Sequence, residues 1–446
     1  MKIKKVIFFT AFLCFFIIQS NAQPNWPAIK ANATFIVHDT SYATPYIQPL
    51  NVGGWEDGLY ITRDGLHLFS TYLPVDVFSW LYDLILDPVC FDFSPYFRPP
   101  LLDIDTITNI WGCPNFMQSD IVISSRNSIN DDFVEWRPSN LQMSFSFDGG
   151  AQGVMKNADT FDVFVYTRDG VGTQGTDIMF MKNVPINPSQ NSATPIFVTE
   201  GAEDNPHIER LNDTTLVILF DRDRYMYYSL SYDNGDSWLD PILITQTLND
   251  QAPYDVQPHL WHDGNDWWVY FCADNPNFRR CIYKSKQMIE NDWNSWEPKQ
   301  LVIEPGDIIG GYGYTLGIGE PTLTQWGDLS FVVIYGDLNS PDTTDMYDCD
   351  PWFLPKKNSP VFINKEECEF SKISVYPNPA KTQLNIRFEK ADSYQISMYS
   401  IDGRLVVNEK TTNAQHSINV ASLNKGIYLL KISDENKSKM IKVVIQ

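Results

Sequence analysis

The chain has 446 residues, 43% hydrophobic and 14% aromatic, and sets 33 Lys+Arg against 55 Asp+Glu for a formal net charge of −22. That length holds two or three domains at about 150 residues each, and the hydrophobic share excludes a disordered tail protein. The negative balance repels phosphate backbones and anionic lipid, which excludes a nucleic-acid binder, while 13 Trp favour half-buried β surfaces or ring stacking over helices.

Residues 1–22 read as a cleaved secretory signal: Lys2, Lys4 and Lys5, an apolar run from Val6 to Ile18, and the small-residue site Ser20-Asn21-Ala22. The run is short for a spanning helix, which needs about 20 apolar residues, and no other run approaches that length. Residues 27–50, with ATFIVHD, are placed to supply a closing strand. Residues 23–355 then repeat: EDGLYI at Glu56, EDNPHI at Glu203, DVQPHL at Asp255 and GEPTL at Gly319 each precede a turn and a stronger strand, LHLFSTYL, TTLVILFD, DWWVYFC and LSFVVIY. A less regular opening, QGVMKNA, precedes FDVFVYT. The ending W-x-P-x-x-L recurs after Trp136 and Trp296, and in altered form after Trp238. Five units follow, near 53–150, 151–201, 202–251, 252–306 and 307–355, the first lengthened by an insertion at 74–118. Units of this size with four strands predict an all-β fold, a five-bladed β-propeller with six blades as the alternative count.

Ser231, Asp233, Gly235 and Trp238 fit the pattern S-x-D-x-G-x-[ST]-W, and Ser146, Asp148 and Gly150 look like a degraded copy. This resembles the Asp box of sialidases and other propellers, a structural turn, and the unit openings resemble TolB-like repeats. The Arg-containing R-I-P or R-L-P motif of sialidases is missing, so an exo-sialidase is disfavoured. A loop with Asp342, Asp345, Asp348 and Asp350 offers oxygens suited to Ca²⁺, or else a solvated acidic surface; no cofactor is required. Export permits disulfides, and after Cys14 leaves with the signal six Cys remain: Cys272 with Cys281 across a hairpin, Cys90 with Cys113, and Cys349 with Cys368 are the expected pairs.

After a linker at 356–371 the composition changes. Residues 372–446 carry a net +5 and the signal +3, leaving −30 for the middle. Seven short strands separated by turns predict a small antiparallel sandwich. Val375-Tyr376-Pro377-Asn378-Pro379-Ala380, Leu384-Asn385-Ile386, Asp402-Gly403-Arg404, Leu423 to Tyr428 with Gly426, and Lys439 with Lys442 resemble the type A sorting domain of the Bacteroidetes type IX secretion system. That resemblance implies an Ig-like sandwich, recognition by the secretion machinery, and release from, or attachment to, the outer surface.

In a propeller the first strand of each unit lines the channel. Aligning on Pro206, Pro258 and Pro321 places Asp57, Gln152, Asn205, Gln257 and Glu320 in one ring. Asp57 and Glu320 come from units that meet when the ring closes, so they are the candidate acid and base for a glycosidic bond. Asp204 and Asp255 are out of register and weaker. His207 and His259 share one position in adjacent units, beside Asn205 and Gln257; packing or hydrogen bonding is the simpler reading and a divalent-metal pair the sharper one. Trp55, Trp80, Trp111, Trp261 and Trp326 are candidates for stacking on sugar rings. The expected function is an exported, monomeric propeller that binds or hydrolyses carbohydrate; the alternative is a non-catalytic adhesin or protein-binding scaffold.

Overall fold

The computed structural model describes residues 24–50, 52–79, 94–98, 119–141, 148–169, 175–244, 248–250, 255–311, 313–360, 373–388, 391–400, 404–433 and 438–446. The fold is nearly all β. Among the described residues, five antiparallel meanders follow one another, here units 1 to 5. Their inner strands are Trp55–Ile61, Asp148–Asn157, Glu203–Arg210, Val256–His262 and Tyr314–Leu323. Each inner strand contacts the next, and the fifth contacts the first, so they stand around a common axis. Unit 2 opens at Asp148, three residues before the expected boundary, because Asp148 and Gly150 belong to its inner strand and not to an Asp-box turn.

The segment after Pro24 holds the ring together. A short helix, Trp26–Ala31, begins with Pro27 in its first turn and buries Ile29. Phe35–Val37 then pairs with the outer strand of unit 4, Gln300–Pro305. Tyr46–Ile47 pairs with Tyr347–Leu354 and becomes the outer strand of unit 5. Apolar clusters lie between successive sheets: Tyr60 and Phe69 meet Phe161 and Phe164 of unit 2, and Leu219 with Val217 meets Leu260 and Val269 of unit 4. Alternating strands with both faces covered read as nearly continuous apolar runs such as Leu216–Phe220, all buried.

The Cys272–Cys281 bridge does not form. In the hairpin Ala273 pairs with Cys281 and Cys272 with Ile282. This one-residue offset sends the thiols to opposite faces: Cys272 packs with Ile318 and Tyr335, Cys281 with Trp293 and Trp296. Cys349 is also a free, buried thiol that donates to the Glu56 carbonyl at 3.1 Å. Cys90, Cys113 and Cys368 lie outside the described residues. The acidic loop is not a solvated surface either. Asp345, Asp348 and Asp350 are buried; Lys30 is 2.8 Å from both Asp348 and Asp350, and Arg98 bridges Asp345 and Asp76. Cations of the chain itself hold the place proposed for Ca²⁺, while Asp342 turns inward on Thr344.

Residues 374–445 form two antiparallel sheets of three and four strands over a shared core of Leu384, Ile386, Ile396, Leu430 and Val443. All seven expected strands are present. The Asn378 side chain pins the segment Pro377 to Pro379 to the last strand, accepting from Val444 N and donating to the Lys442 carbonyl, both at 2.9 Å. Tyr428 donates to the Asn424 carbonyl at 2.8 Å, closing the turn before Gly426. Lys439 pairs with Ile432 in the four-stranded sheet; Asp402 and Gly403 lie outside the described residues. Among the described residues no helix is long and apolar enough to cross a membrane.

Candidate active site at the channel mouth

Each inner strand carries a β-bulge at one equivalent place, between Asp57 and Tyr60, Gly149 and Gln152, Asp204 and His207, Val256 and His259, and Gly319 and Thr322. One residue of each bulge has positive φ: Gly58 at 56°, Gly150 at 55°, Asn205 at 49°, Gln257 at 61° and Glu320 at 53°. Glycine suits units 1 and 2, where a Cβ on Gly58 would stand 2.3 Å from Thr71 Oγ1. In units 3 to 5 a side chain is held in a backbone conformation that bulky residues rarely adopt.

This corrects the register of the ring. Asn205, Gln257 and Glu320 are equivalent, as expected, but their counterparts in units 1 and 2 are Gly58 and Gly150. Asp57 is equivalent to Asp204, one step nearer the mouth. Gln152 is equivalent to His207 and His259, two steps deeper. Asp255 corresponds to Glu56, Asp148 and Glu203, a position buried in all four units; it is bound by Lys299 at 3.1 Å and does not line the cavity.

Asp57, Asp204, Asn205, Gln257 and Glu320 converge on a cavity of about 350 Å³, completed by Thr71, Asp148, Thr167 and Thr176 among others. A separate small cavity of about 10 Å³ lies beside it along the same strands, lined by Gln152, Pro206 and Pro258 and sharing Asn205, Gln257 and Glu320 with the first. Burial pushes the Glu320 carboxyl well above the ordinary carboxylate range, and Asp57 and Asp204 push it further. The raised Glu320 shares a hydrogen bond with Asp57 and also receives one from Gln257 Nε2. Asp57 in turn accepts from Gly58 N at 2.9 Å and from Trp55 Nε1 at 3.3 Å. Trp55 is therefore a buried positioning residue of the core and not a stacking surface. Trp261 is buried with its Nε1 on the Thr324 carbonyl, and Trp326 sits in the turn at the far end of unit 5; Trp80 and Trp111 lie outside the described residues.

Asp221 completes the site and was not anticipated. It closes the apolar run Leu216–Phe220 on the second strand of unit 3, opposite Asp204. Its Oδ2 accepts from Gln257 N at 2.8 Å and Asn205 Nδ2 at 2.9 Å, and burial pushes it up to about 8. An acid ending an otherwise apolar strand was the available signal, but it stands outside the inner-strand pattern.

Deeper in the channel, the rings of His207 and His259 meet at a tilt of 56° with centroids 4.0 Å apart. They belong to a network and not to a metal pair. His207 Nε2 meets Glu209 at 3.2 Å, His259 Nε2 accepts from Leu323 N at 3.1 Å, and Arg63 is bound to Glu209 and to the Leu323 carbonyl. Burial pushes His259 well below the ordinary imidazole range. Arg63 outweighs burial at Glu209 and holds it at about 2. Among the described residues no group of three or more His, Cys, Asp or Glu forms a metal site. At the opposite end of the sheets, the Asp233 carboxylate binds Ser237 N at 2.8 Å and Ser231 Oγ at 2.8 Å, and Trp238 packs on Phe180 and Phe197. Gly235, with φ 81°, lets the turn close against Phe180.

Residues 374–446 match the secretion system C-terminal sorting domain, so the chain carries the signal for type IX export to the cell surface or beyond. No curated protein matches the chain by sequence. Among solved structures, the catalytic domain of the Coprinopsis cinerea GH62 α-L-arabinofuranosidase is 10% identical, over 72% of this chain and 97% of that one, with a TM-score of 0.41. The Bombyx mori GH32 β-fructofuranosidase is 11% identical over 93% and 92%, TM-score 0.40. PorZ of Porphyromonas gingivalis, a surface component of the type IX secretion system, is 11% identical over 90% of this chain and 61% of its own, TM-score 0.32.

Proposed function

We propose that the chain is a type IX secretion cargo whose first 22 residues are removed on export. Its working part is a monomeric five-bladed β-propeller that binds carbohydrate at the channel mouth, followed by an Ig-like sandwich for sorting. The carrying observation is the convergence of carboxyls from units 1, 3 and 5 on one cavity of about 350 Å³, roomy enough for a small ligand. Carboxylate, amide and hydroxyl groups on the wall can each take a sugar hydroxyl, and no cofactor is needed for that.

The pairing of Asp57 with Glu320 favours recognition over cleavage. Asp57 is among the groups that push the Glu320 carboxyl up, so the two act on each other and not as an independent acid and base. Glu320, kept protonated, is a donor, and Asp57 is an acceptor held by two N–H groups. Together they present opposite hydrogen-bonding characters to one ring.

A glycan array probed with the purified chain, together with an assay for new reducing ends, tests this. Binding should fall at least tenfold in both Asp57→Asn and Glu320→Gln, with no reducing ends released by any form. Release by the wild type that both variants lose would replace binding by hydrolysis. Undiminished binding in both variants would remove the mouth as the site and leave the adhesin reading, with its ligand on the rim.

A further inference from the structure

We infer that the mouth holds a neutral, linear glycan of several sugar residues, one of which stacks its ring face on Phe278. This rests on the carbohydrate reading above and adds the length of the ligand and the aromatic residue that selects it. Phe278 sits at the tip of the hairpin that joins Trp267–Asp274 to Arg280–Lys286 in unit 4. It is 89% exposed, and its φ is 58°. Glycine or asparagine takes that conformation at little cost, whereas a bulky residue there is a genuine outlier. Phe278 belongs to neither of the apolar clusters that flank unit 4. A large apolar side chain is thus held in a disfavoured backbone geometry and kept in water, and neither packing nor turn chemistry accounts for it.

The loop fixes that side chain beside the cavity. Asn275, itself buried, accepts from Asn277 N at 2.9 Å and Arg279 N at 3.1 Å and donates to Glu304 at 2.8 Å. Arg279 Nη2 donates to the carbonyls of Gly306 at 2.8 Å and Thr315 at 2.6 Å, which fastens the tip to the entry of unit 5. Arg280 then lies opposite Gly317 in a parallel bridge, where a Cβ on Gly317 would stand 2.7 Å from Arg280 Cβ. Gly317 precedes Glu320 on the same inner strand by about 10 Å of extended chain. Phe278 therefore stands on the mouth side of Glu320, beyond the reach of one sugar ring held in the cavity and within the span of a short chain. Ile309, Leu316 and Leu338, on the segments around these anchors, are exposed as well, so the lip of units 4 and 5 is apolar. Hydrogen-bonding groups inside a cleft and an aromatic face at its edge match the hydroxyl edge and the C–H face of a sugar. The acidic balance of the chain repels uronates and sulfates, while a protonated Glu320 beside the acceptor Asp57 suits uncharged hydroxyls.

Calorimetric titration of the full chain with glucose, xylose, and the cello- and xylo-oligosaccharides of three and five residues tests this. In the series that binds, the pentasaccharide should bind at least tenfold tighter than the monosaccharide. Phe278→Asn should lose that gain with monosaccharide affinity unchanged, and Phe278→Trp should keep it. Asparagine suits the left-handed turn, so the melting midpoint of Phe278→Asn should not fall; a fall would assign Phe278 to the fold and overturn the inference. A length gain that survives in Phe278→Asn would overturn it as well and leave the apolar lip to a protein partner. Monosaccharide binding with no gain from length would confine the ligand to the cavity, overturning the inference while the carbohydrate reading stands. Binding of no member of either series would also overturn it, and the glycan array would then decide the carbohydrate reading by itself.

Discussion

Asp221 is a buried acid of unit 3 and Glu209 a half-buried one, yet they titrate in opposite directions, and the difference is a cation. Asp221 rises to about 8, above the ordinary 3.8 of an unfolded chain. The folded protein then holds a proton that the unfolded chain has lost, so the stability from this group is complete below 3.8 and is lost as pH rises through 8. Glu209, at about 2 against an ordinary 4.5, contributes stability above 4.5 that is lost as pH falls through 2. Urea unfolding should therefore show Asp221→Asn flattening the decline between pH 4 and 8, and Glu209→Gln flattening the acid limb below 4.5. Unchanged slopes would contradict the buried assignments. Residue identity alone made Asp57, Asp204 and Glu320 legible in the sequence, because acids interrupting an apolar opening are conspicuous. Their states were not legible: whether Arg63 or only another acid stands beside a carboxyl is decided by packing across three units.

At the scale of the strand, the bulge decides what the site can hold. It adds one residue to each inner strand and turns a left-handed residue toward the axis. Where that residue is Gly58 or Gly150 the wall recedes; where it is Glu320 a carboxyl enters. Strain at φ 53° and burial of the acid both weigh on the fold. Glu320→Gly should accordingly stabilise the protein by about 1 kcal/mol in urea melts while removing ligand binding; destabilisation would show that the Gln257 contact outweighs the strain. Aligning on Pro206, Pro258 and Pro321 found the register in units 3 to 5. It slipped in units 1 and 2, where Leu59 and Ala151 replace proline and nothing in the pattern marks the extra residue. The same one-residue sensitivity governs the thiols. Mass mapping of the unreduced chain should find Cys272 and Cys281 free, with the thermal midpoint indifferent to reductant; a crosslink between them would contradict the hairpin register.

At the scale of the molecule, the N-terminal segment is the fastener. Lys30 is buried against Asp348 and Asp350, whose attraction outweighs the cost of burying its charge and raises its pKa. Lys30→Met should cost about 3–5 kcal/mol, because it leaves the buried Asp350 without its ion-pair partner and Asp348 with only Arg98 at 3.5 Å, measured as a loss of midpoint in thermal or urea unfolding. The repeat of about 50 residues made the all-β ring legible. The acidic segment at 342–350 looked like a solvated loop because its partners, Lys30 and Arg98, lie more than two hundred residues away in sequence.

The outer strand of unit 5 has a consequence for the order of events during synthesis. Tyr46–Ile47 is made early, but its partner Tyr347–Leu354 is among the last parts of the ring to be made. Until then unit 5 lacks its fourth strand and Lys30 has no acids to bind, so closure is a late, long-range step. The sorting domain begins shortly afterwards, at Ser374. The export address and the completed ring thus become available at nearly the same moment, so a chain truncated before the address is also a chain that has scarcely closed.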